Sequence, residues 1–542
     1  MKALVGTKKL LKLSLRIDRV KLPVWIVAAF AMTILTTSTL MSTYDTVPKR
    51  IAYATATAPS AVTRLIGGAI TGPSIGEISI IETFMLTSLF VVLINVFLIT
   101  RHTRQNEESG RSEVFGSMEV GRQASLTSAL ILAAVVNIVL TGAIFLSYAA
   151  IGYETSGALL YSAGLGLLGL VFAGVAAITS QLFESTRTAN GSASLLFGFF
   201  FIVKGVGDAF GSVNPDRLSA TTSWISWLSP LGWVTNAEPF AAERWWVLWL
   251  LFGCSLVLIA LAYALLARRD VGSSIFMPRL GRAKAQPRLL RRFGVIWRLN
   301  RGSFIGWMIA LAATGATLGA VADDFADLIS SNPEMQELLA SLGGGGDVTN
   351  IMFSAMFTIV GLTVAAYALQ TLVRMKNEET SGRLEVMLST QLSKASWLTT
   401  QTIFTLIAGG AILCASGIVA GATYGLIDGN VLKHTTELGL SILVHMPAIA
   451  VVVGVSLVIF GLIPRRFTAL SWLFLTACLV IYQLGPLLEL PQWLMNLSPF
   501  SHTPAAPAAD IVMKPLVILS GIAVGLCITG IMLFRRRDVI TD

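Results

Sequence analysis

Twelve apolar runs, each of about 20 residues and separated by short polar segments, leave this 542-residue chain few folds to choose from. A run of that length crosses the hydrocarbon core of a bilayer as one helix, which satisfies all its backbone polar groups internally. The runs lie near 22–42, 79–100, 124–149, 156–180, 192–210, 245–266, 304–322, 351–372, 397–423, 438–463, 467–486 and 512–534. Charged residues make up only 13% of the chain, against about 25% in a soluble domain, too few to cover a water-facing surface of this size. The first run, Leu22 to Met41, is longer than the apolar core of a signal peptide and reads as a retained span. The expected fold class is an all-α polytopic membrane protein of twelve transmembrane helices.

The net charge of +9 sets orientation rather than nucleic-acid binding. Lys2, Lys8, Lys9, Lys12, Arg16, Arg19 and Lys21 precede the first span, and Arg535, Arg536 and Arg537 close the last. When the twelve spans are traced alternately, all but eight of the 39 lysines and arginines fall on the side of the N-terminus. The positive-inside bias then predicts that both termini are cytoplasmic. Cys254, Cys414, Cys478 and Cys527 lie inside apolar runs with no CxxC spacing, and the four histidines are scattered, so neither a disulfide framework nor a metal centre is expected.

The segment 267–303 divides the chain near residue 285, and residues recur in order on either side. After span 2 the chain reads EESGRSEV, Glu107 to Val114; after span 8 it reads ETSGRLEV, Glu379 to Val386, with six identities in eight positions. Arg16, Arg19 and Trp25 reappear as Arg298, Arg301 and Trp307. Trp227 to Pro230 (WLSP) matches Asn496 to Pro499 (NLSP), and Arg268-Arg269-Asp270-Val271 matches Arg536-Arg537-Asp538-Val539. Residues 1–284 and 285–542 are therefore expected to be two parallel six-span repeats, with any translocation path between them. Each opens with a basic stretch, 1–19 and 287–301. In the second, Leu289, Leu290, Phe293, Ile296 and Trp297 fall three and four apart, the pattern of a helix lying in the membrane interface. A plain basic flank is the alternative.

The repeated loops, near 101–122 and 373–395, are more than connections. Glu107, Gly110, Arg111 and Glu113 are expected to form a short amphipathic helix with its charged side toward the cytoplasm and with Val114 and Phe115 turned back to the spans. A glycine inside a helix costs about 0.5–1 kcal/mol relative to alanine, so Gly110 points to a close backbone approach or a break.

This duplicated pattern of acidic residues, Gly-Arg and Glu after the second span resembles the ABC-2 type permeases, specifically the fused twelve-span membrane subunits labelled exporters of polyketide antibiotics. The resemblance implies that Glu107, Gly110, Arg111 and Glu113, and again Glu379, Gly382, Arg383 and Glu385, couple the membrane subunit to its ATPase. It implies a connecting helix ahead of each half and a short helical piece before each last span, around 222–244 and 490–510. It further implies a separate ATPase subunit, two copies per chain, holding the ATP and Mg, with no cofactor in this chain. The location implied is the cytoplasmic (inner) membrane of a prokaryote, and the cargo a hydrophobic or amphiphilic antibiotic or drug. In agreement, no GxxxxGK[ST] motif occurs, and the glycine run Gly343 to Gly346 lacks the lysine and reads as a flexible turn. One departure is Thr380, which stands where the first half has Glu108.

Polar residues within the spans are few. Lys204 and Asp208, one helical turn apart in span 5, form either part of a path or an interfacial pair. His445 is either a cavity residue or a packing residue, and Glu82 sits near the outer end of span 2. With Phe197, Phe200, Phe201 and Phe474 these residues (Glu82 aside) make up the candidate substrate path, expected along spans 2, 5, 8 and 11. Two other classes stay open from the residues alone: a gradient-driven twelve-span transporter of the major facilitator kind, whose loop after span 2 would read GxxxDRxGRR, and a membrane accessory or sensor protein without transport.

Overall fold

The computed structural model describes residues 2–116, 119–270, 273–276, 292–330, 347–484 and 491–538. It contains twelve helices long and apolar enough to cross a membrane: Lys21–Thr43, Ile75–Glu108, Ala124–Ile151, Thr155–Leu182, Thr186–Ala209, Val247–Arg268, Phe293–Ala322, Val348–Thr380, Lys394–Asp428, Val431–Leu462, Pro464–Gln483 and Met513–Arg536. They are spans 1 to 12 below. Among the described residues the extended structure amounts to one isolated bridge, Val213 to Ala220. The fold is all-α, as the apolar runs predict.

The chain forms two compact units, Met1–Gly281 and Arg282–Asp542. Within the first, span 2 packs against spans 1, 3, 4 and 5; within the second, span 8 packs against spans 7, 9, 10 and 11. Span 1 lies along span 3 and span 4 along span 6, and the same neighbours recur as spans 7 with 9 and 10 with 12. Small residues make the last of these crossings close. A Cβ added at Gly174 would lie 2.7 Å from Leu258 Cβ, and one at Gly454 2.7 Å from Leu526 Cβ. Lipid tails are as apolar as leucine, so close van der Waals contact of this kind replaces the hydrophobic effect as the force joining helices.

The two N-terminal stretches differ. In the first unit a separate helix, Thr7–Ile17, precedes span 1 and ends at Asp18. Of the expected interfacial helix 287–301, residues 287–291 lie outside the described residues, and from Arg292 the chain is one continuous helix, Arg292–Ser330, that includes span 7. Nothing in 292–303 breaks it, since Gly302 is tolerated within a helix and no proline intervenes. The boundary near 285 and the run Gly343 to Gly346 also fall outside the described residues.

The pieces before the last spans are short helices: Trp224–Leu228 and Pro230–Asn236 in the first unit, Gln492–Met495 and Pro499–His502 in the second. The repeated serine anchors each of them. Ser229 donates to the Phe200 carbonyl at 2.8 Å and accepts from Leu231 N, while buried Ser498 donates to the Cys478 carbonyl at 3.5 Å.

Candidate functional site

Span 2 runs as helix Ile75–His102, kinks at Thr103 and continues as the five residues Arg104–Glu108. Gly110 then takes a left-handed φ of +72°, and a second short helix, Arg111–Gly116, leaves in a new direction. The second unit repeats this with Gly382, also at +72°, capping Arg383–Leu388. A Cβ at either glycine would meet nothing within 4 Å, so the backbone conformation and not crowding requires glycine there. The single amphipathic helix expected over Glu107 to Phe115 is thus corrected to two short helices joined by a glycine break.

The break separates residues of opposite fate. Glu107 is turned inward, contrary to the expectation that it faces the cytoplasm. Arg269, directly after span 6, donates from Nη2 to Oε1 at 2.5 Å and from Nη1 to Oε2 at 2.9 Å, the strong two-pronged arrangement of guanidinium on carboxylate. Buried Arg104 adds a 2.5 Å bond to Oε2. Arg269 also reaches Gln181 Oε1 at 2.7 Å and Arg104 reaches the Glu184 carbonyl, so the ends of spans 2, 4 and 6 are fastened around one carboxylate. In the second unit Glu379, only 1% exposed, receives Arg537 Nη2 at 2.7 and 2.8 Å. That guanidinium lies over the rings of Phe460 at the end of span 10 and Phe534 at the end of span 12.

Beyond the glycine the side chains are outside. Arg111, Glu113 and Val114 are exposed, as are Arg383, Glu385 and Val386. Val386 is 71% exposed and its counterpart Val114 58%. The side chain of Phe115 lies outside the described residues. Arg383 also holds Glu378 loosely at 3.3 Å. Glu108, the position that departs from the repeat, accepts from the backbone N and hydroxyl of Thr186 at 3.0 and 2.6 Å, placing a carboxylate on the first turn of span 5. Thr380 is too short to act in the same way.

A second joint at this end of each unit was not legible from the motif. His102 Nε2 lies 2.5 Å from Asp18 Oδ2, and Arg101 Nη1 lies 2.6 Å from Asp18 Oδ1. Burial pushes the Asp18 carboxyl up, but its hydrogen bond to His102 and the charges of His102, Arg101 and Lys21 outweigh this and hold it below the ordinary carboxylate range. The counterparts in the second unit are Arg374 and Asn300, in contact at 3.1 Å. In each unit the end of the central span therefore holds a polar side chain from the first span's helix or from the residue just ahead of it.

The candidate path residues are less alike. Lys204 and Asp208 form a 2.8 Å ion pair with both side chains fully buried, and Lys204 Nζ stands 5.0 Å from the centre of the Phe84 ring. Gly68, at φ +119°, makes the room: a Cβ there would lie 2.8 Å from Lys204 Nζ. The pair is thus sealed inside the first unit. Phe197 packs edge-on to Phe172 within the bundle, whereas Phe200 and Phe201 are half-buried. His445 is buried against Gly361 with neither ring nitrogen hydrogen-bonded, and Phe474 is half-buried against the core of the second unit. Glu82 accepts the Tyr53 hydroxyl at 2.6 Å. Among the described residues no group of three His, Cys, Asp or Glu side chains could hold a metal.

Twelve spans and a charged elbow repeated after the second span of each unit define a polytopic membrane protein with a duplicated motif. Residues 289–535 match the C-terminal domain of the multidrug efflux system permease Rv1217c. Nearly the whole chain is similar to the multidrug efflux system permease protein Rv1217c of Mycobacterium tuberculosis (strain ATCC 25618 / H37Rv), at 36% identity over 537 residues, 98% of this chain and 95% of that protein. The chain belongs to this family: it is a fused multi-span permease subunit of an ABC-2 type exporter, a multi-pass membrane protein. It works with a separate ATPase subunit, to which the ATP and Mg of the cycle belong.

Proposed function

We propose that the end of each unit bearing the glycine elbows faces the cytoplasm, as the distribution of basic residues supports, and that each elbow receives one ATPase protomer. One chain then serves two protomers. The observation that carries this reading is the paired elbow itself, with an exposed Arg-x-Glu-Val helix beyond a left-handed glycine and a buried Glu–Arg joint behind it, in both units. The exposed half offers charge and an apolar side chain to a partner. The buried half passes a displacement to the ends of spans 2, 4 and 6, or 8, 10 and 12.

The cargo that suits these spans is hydrophobic or amphiphilic, since their surface is Leu, Val, Ile, Phe, Ala and Gly with few charges, and the name of the Mycobacterium tuberculosis relative, a multidrug efflux permease, supports drug-like compounds. Half-buried Phe200, Phe201 and Phe474 are the aromatic surfaces we assign to its path; buried Phe197, Lys204, Asp208 and His445 support the packing behind it. The location that fits is the cytoplasmic membrane of a prokaryote, with both termini cytoplasmic.

The test is the native mass of the complex extracted with its ATPase, expected at one permease chain and two ATPase protomers. It is joined to charge reversal at the exposed positions, Arg111→Glu with Glu113→Lys and Arg383→Glu with Glu385→Lys. Capture of the ATPase should fall with each pair reversed and vanish with both, while thermal stability of the permease holds. Full capture by the fourfold variant would remove the docking role.

A further inference from the structure

At the end of the first unit away from the elbows lies a polar pocket of about 360 Å³. Thr71, Asn214, Trp227, Asn236, Glu238 and Arg244 are among the residues that line it. Its walls are three short pieces of chain. A tight hairpin, closed by Asn214 N to the Ser219 carbonyl at 2.9 Å and Thr221 N to the Ser212 carbonyl at 2.8 Å, is pinned to the Ile70 carbonyl by Ala220 N at 2.7 Å. The helix Pro230–Asn236 supplies the second wall. A turn closed by Arg244 N to the Ala237 carbonyl at 2.8 Å supplies the third.

The polar groups are held in place before any ligand arrives. Thr222 Oγ1 donates to Asn236 Oδ1 at 3.0 Å, and Asn214 Nδ2 donates to Ser219 Oγ at 2.8 Å, which fixes both amides. Arg244 pairs with Glu238 at 2.9 Å, which holds both charged groups in place. Thr71 lies there beside Glu77, whose Oε2 accepts from Thr71 N at 3.4 Å. The plane of Trp227 is set by stacking on Trp246, with centroids 5.7 Å apart and planes 3° from parallel. Among the described residues three non-glycine residues have left-handed backbone, Arg217, Glu238 and Glu243, and all three lie in this region. Strain of this kind persists where the surroundings hold a side chain in a required position.

We propose that this pocket binds a neutral, hydroxyl-rich ring of the size of one pyranose. Fixed amides, a carboxylate–guanidinium fork and a threonine hydroxyl can donate to and accept from adjacent hydroxyls, and the indole face covers the C–H side of such a ring. A drug-sized apolar molecule would leave these groups unpaired. The inference rests on the exporter reading only in placing the pocket on the outer side, where it meets the polar head of a leaving amphiphile.

The test uses full-length protein in lipid nanodiscs and saturation-transfer NMR with methyl β-glucopyranoside, methyl α-mannopyranoside and, as an apolar ring of similar size, cyclohexanol. Transfer to the ring protons of at least one glycoside, weakened at least tenfold in Trp227→Leu and in Glu238→Gln but unchanged in Arg383→Glu, supports the site. Matching melting temperatures for the variants show that the fold is intact. No transfer from either glycoside, equal transfer from cyclohexanol, or transfer indifferent to both pocket variants overturns it. ATP-driven export of a glycosylated compound and its aglycone, measured in parallel with the ATPase subunit, separates the two readings. Loss of all export with glycoside binding intact removes the exporter reading and leaves the pocket; export with no glycoside binding removes the pocket alone.

Discussion

Arg537 gives one nitrogen, Nη2, to both carboxylate oxygens of Glu379, at 2.7 and 2.8 Å, across 158 residues of chain. The carboxylate belongs to the end of span 8, one turn before the glycine elbow, and the guanidinium to the end of span 12. Arg269 and Glu107 make the corresponding joint across 162 residues in the first unit, there with one nitrogen for each oxygen. An elbow so rooted cannot move without moving the last span of its own unit.

The joint makes a stability prediction first. Removing one partner of a buried ion pair leaves an uncompensated charge and costs about 3–5 kcal/mol. Arg537→Gln and Glu379→Lys should each lower the melting temperature of the purified permease sharply, and the exchange Glu379→Arg with Arg537→Glu should recover part of the loss. An exchange no better than the single variants would show that the two residues act independently.

The elbow glycines make the second. At φ +72° an alanine pays about 1–2 kcal/mol in backbone strain, and an asparagine less, with no side-chain clash at either position. Gly110→Ala and Gly382→Ala should therefore reduce substrate-stimulated ATP hydrolysis in the assembled complex, with Gly→Asn intermediate between alanine and wild type. Equal behaviour of alanine and asparagine would point to space rather than conformation.

The spans were legible because each apolar run is long enough to cross a bilayer and each loop carries its own charge signal. The joints were not. Nothing near Glu107 in sequence says that Arg269 will meet it, and a glutamate in a charged loop reads as exposed. The one signal was the recurrence of Arg-Arg-Asp-Val after the last span of each half, which reads alone as a topogenic flank. The first unit's separate N-terminal helix and the second's continuous one were also beyond reach. Asp18, drawn to Arg101 and His102 of span 2, marks a turn, whereas Asn300 in the same place stays helical. The glycine break, by contrast, was one of the two alternatives that the cost of glycine within a helix left open, and the left-handed φ of Gly110 selects it.

Asp18 gives a pH prediction. Its folded carboxyl titrates below the usual value, so the stability it contributes is complete above about pH 4, where the unfolded carboxyl is ionised, and is lost as pH falls through the depressed folded value. Melting temperatures of wild type and Asp18→Asn, taken from pH 7 down to pH 3, should differ most at the neutral end and converge at the acid end. A constant gap across the range would assign the loss to packing rather than to the ionised carboxylate.

The last prediction separates packing from transport at Lys204 and Asp208. Both are fully buried in span 5, paired at 2.8 Å, and closed over by Gly68. A buried pair of this kind is expensive to break and cheap to replace whole: removing one partner costs about 3–5 kcal/mol, while an apolar pair of similar volume is often neutral or stabilising. Lys204→Met alone should therefore destabilise the permease, and Lys204→Met with Asp208→Leu should restore its melting temperature to near wild type. Gly68→Ala should act like the single variant, since the new methyl would displace the ammonium from its carboxylate. Export by the double variant then decides the role. If it matches wild type, the pair serves packing alone; if the double variant is stable but exports poorly, the charges themselves act in the cycle, and the sealed pair is one state of a path that opens.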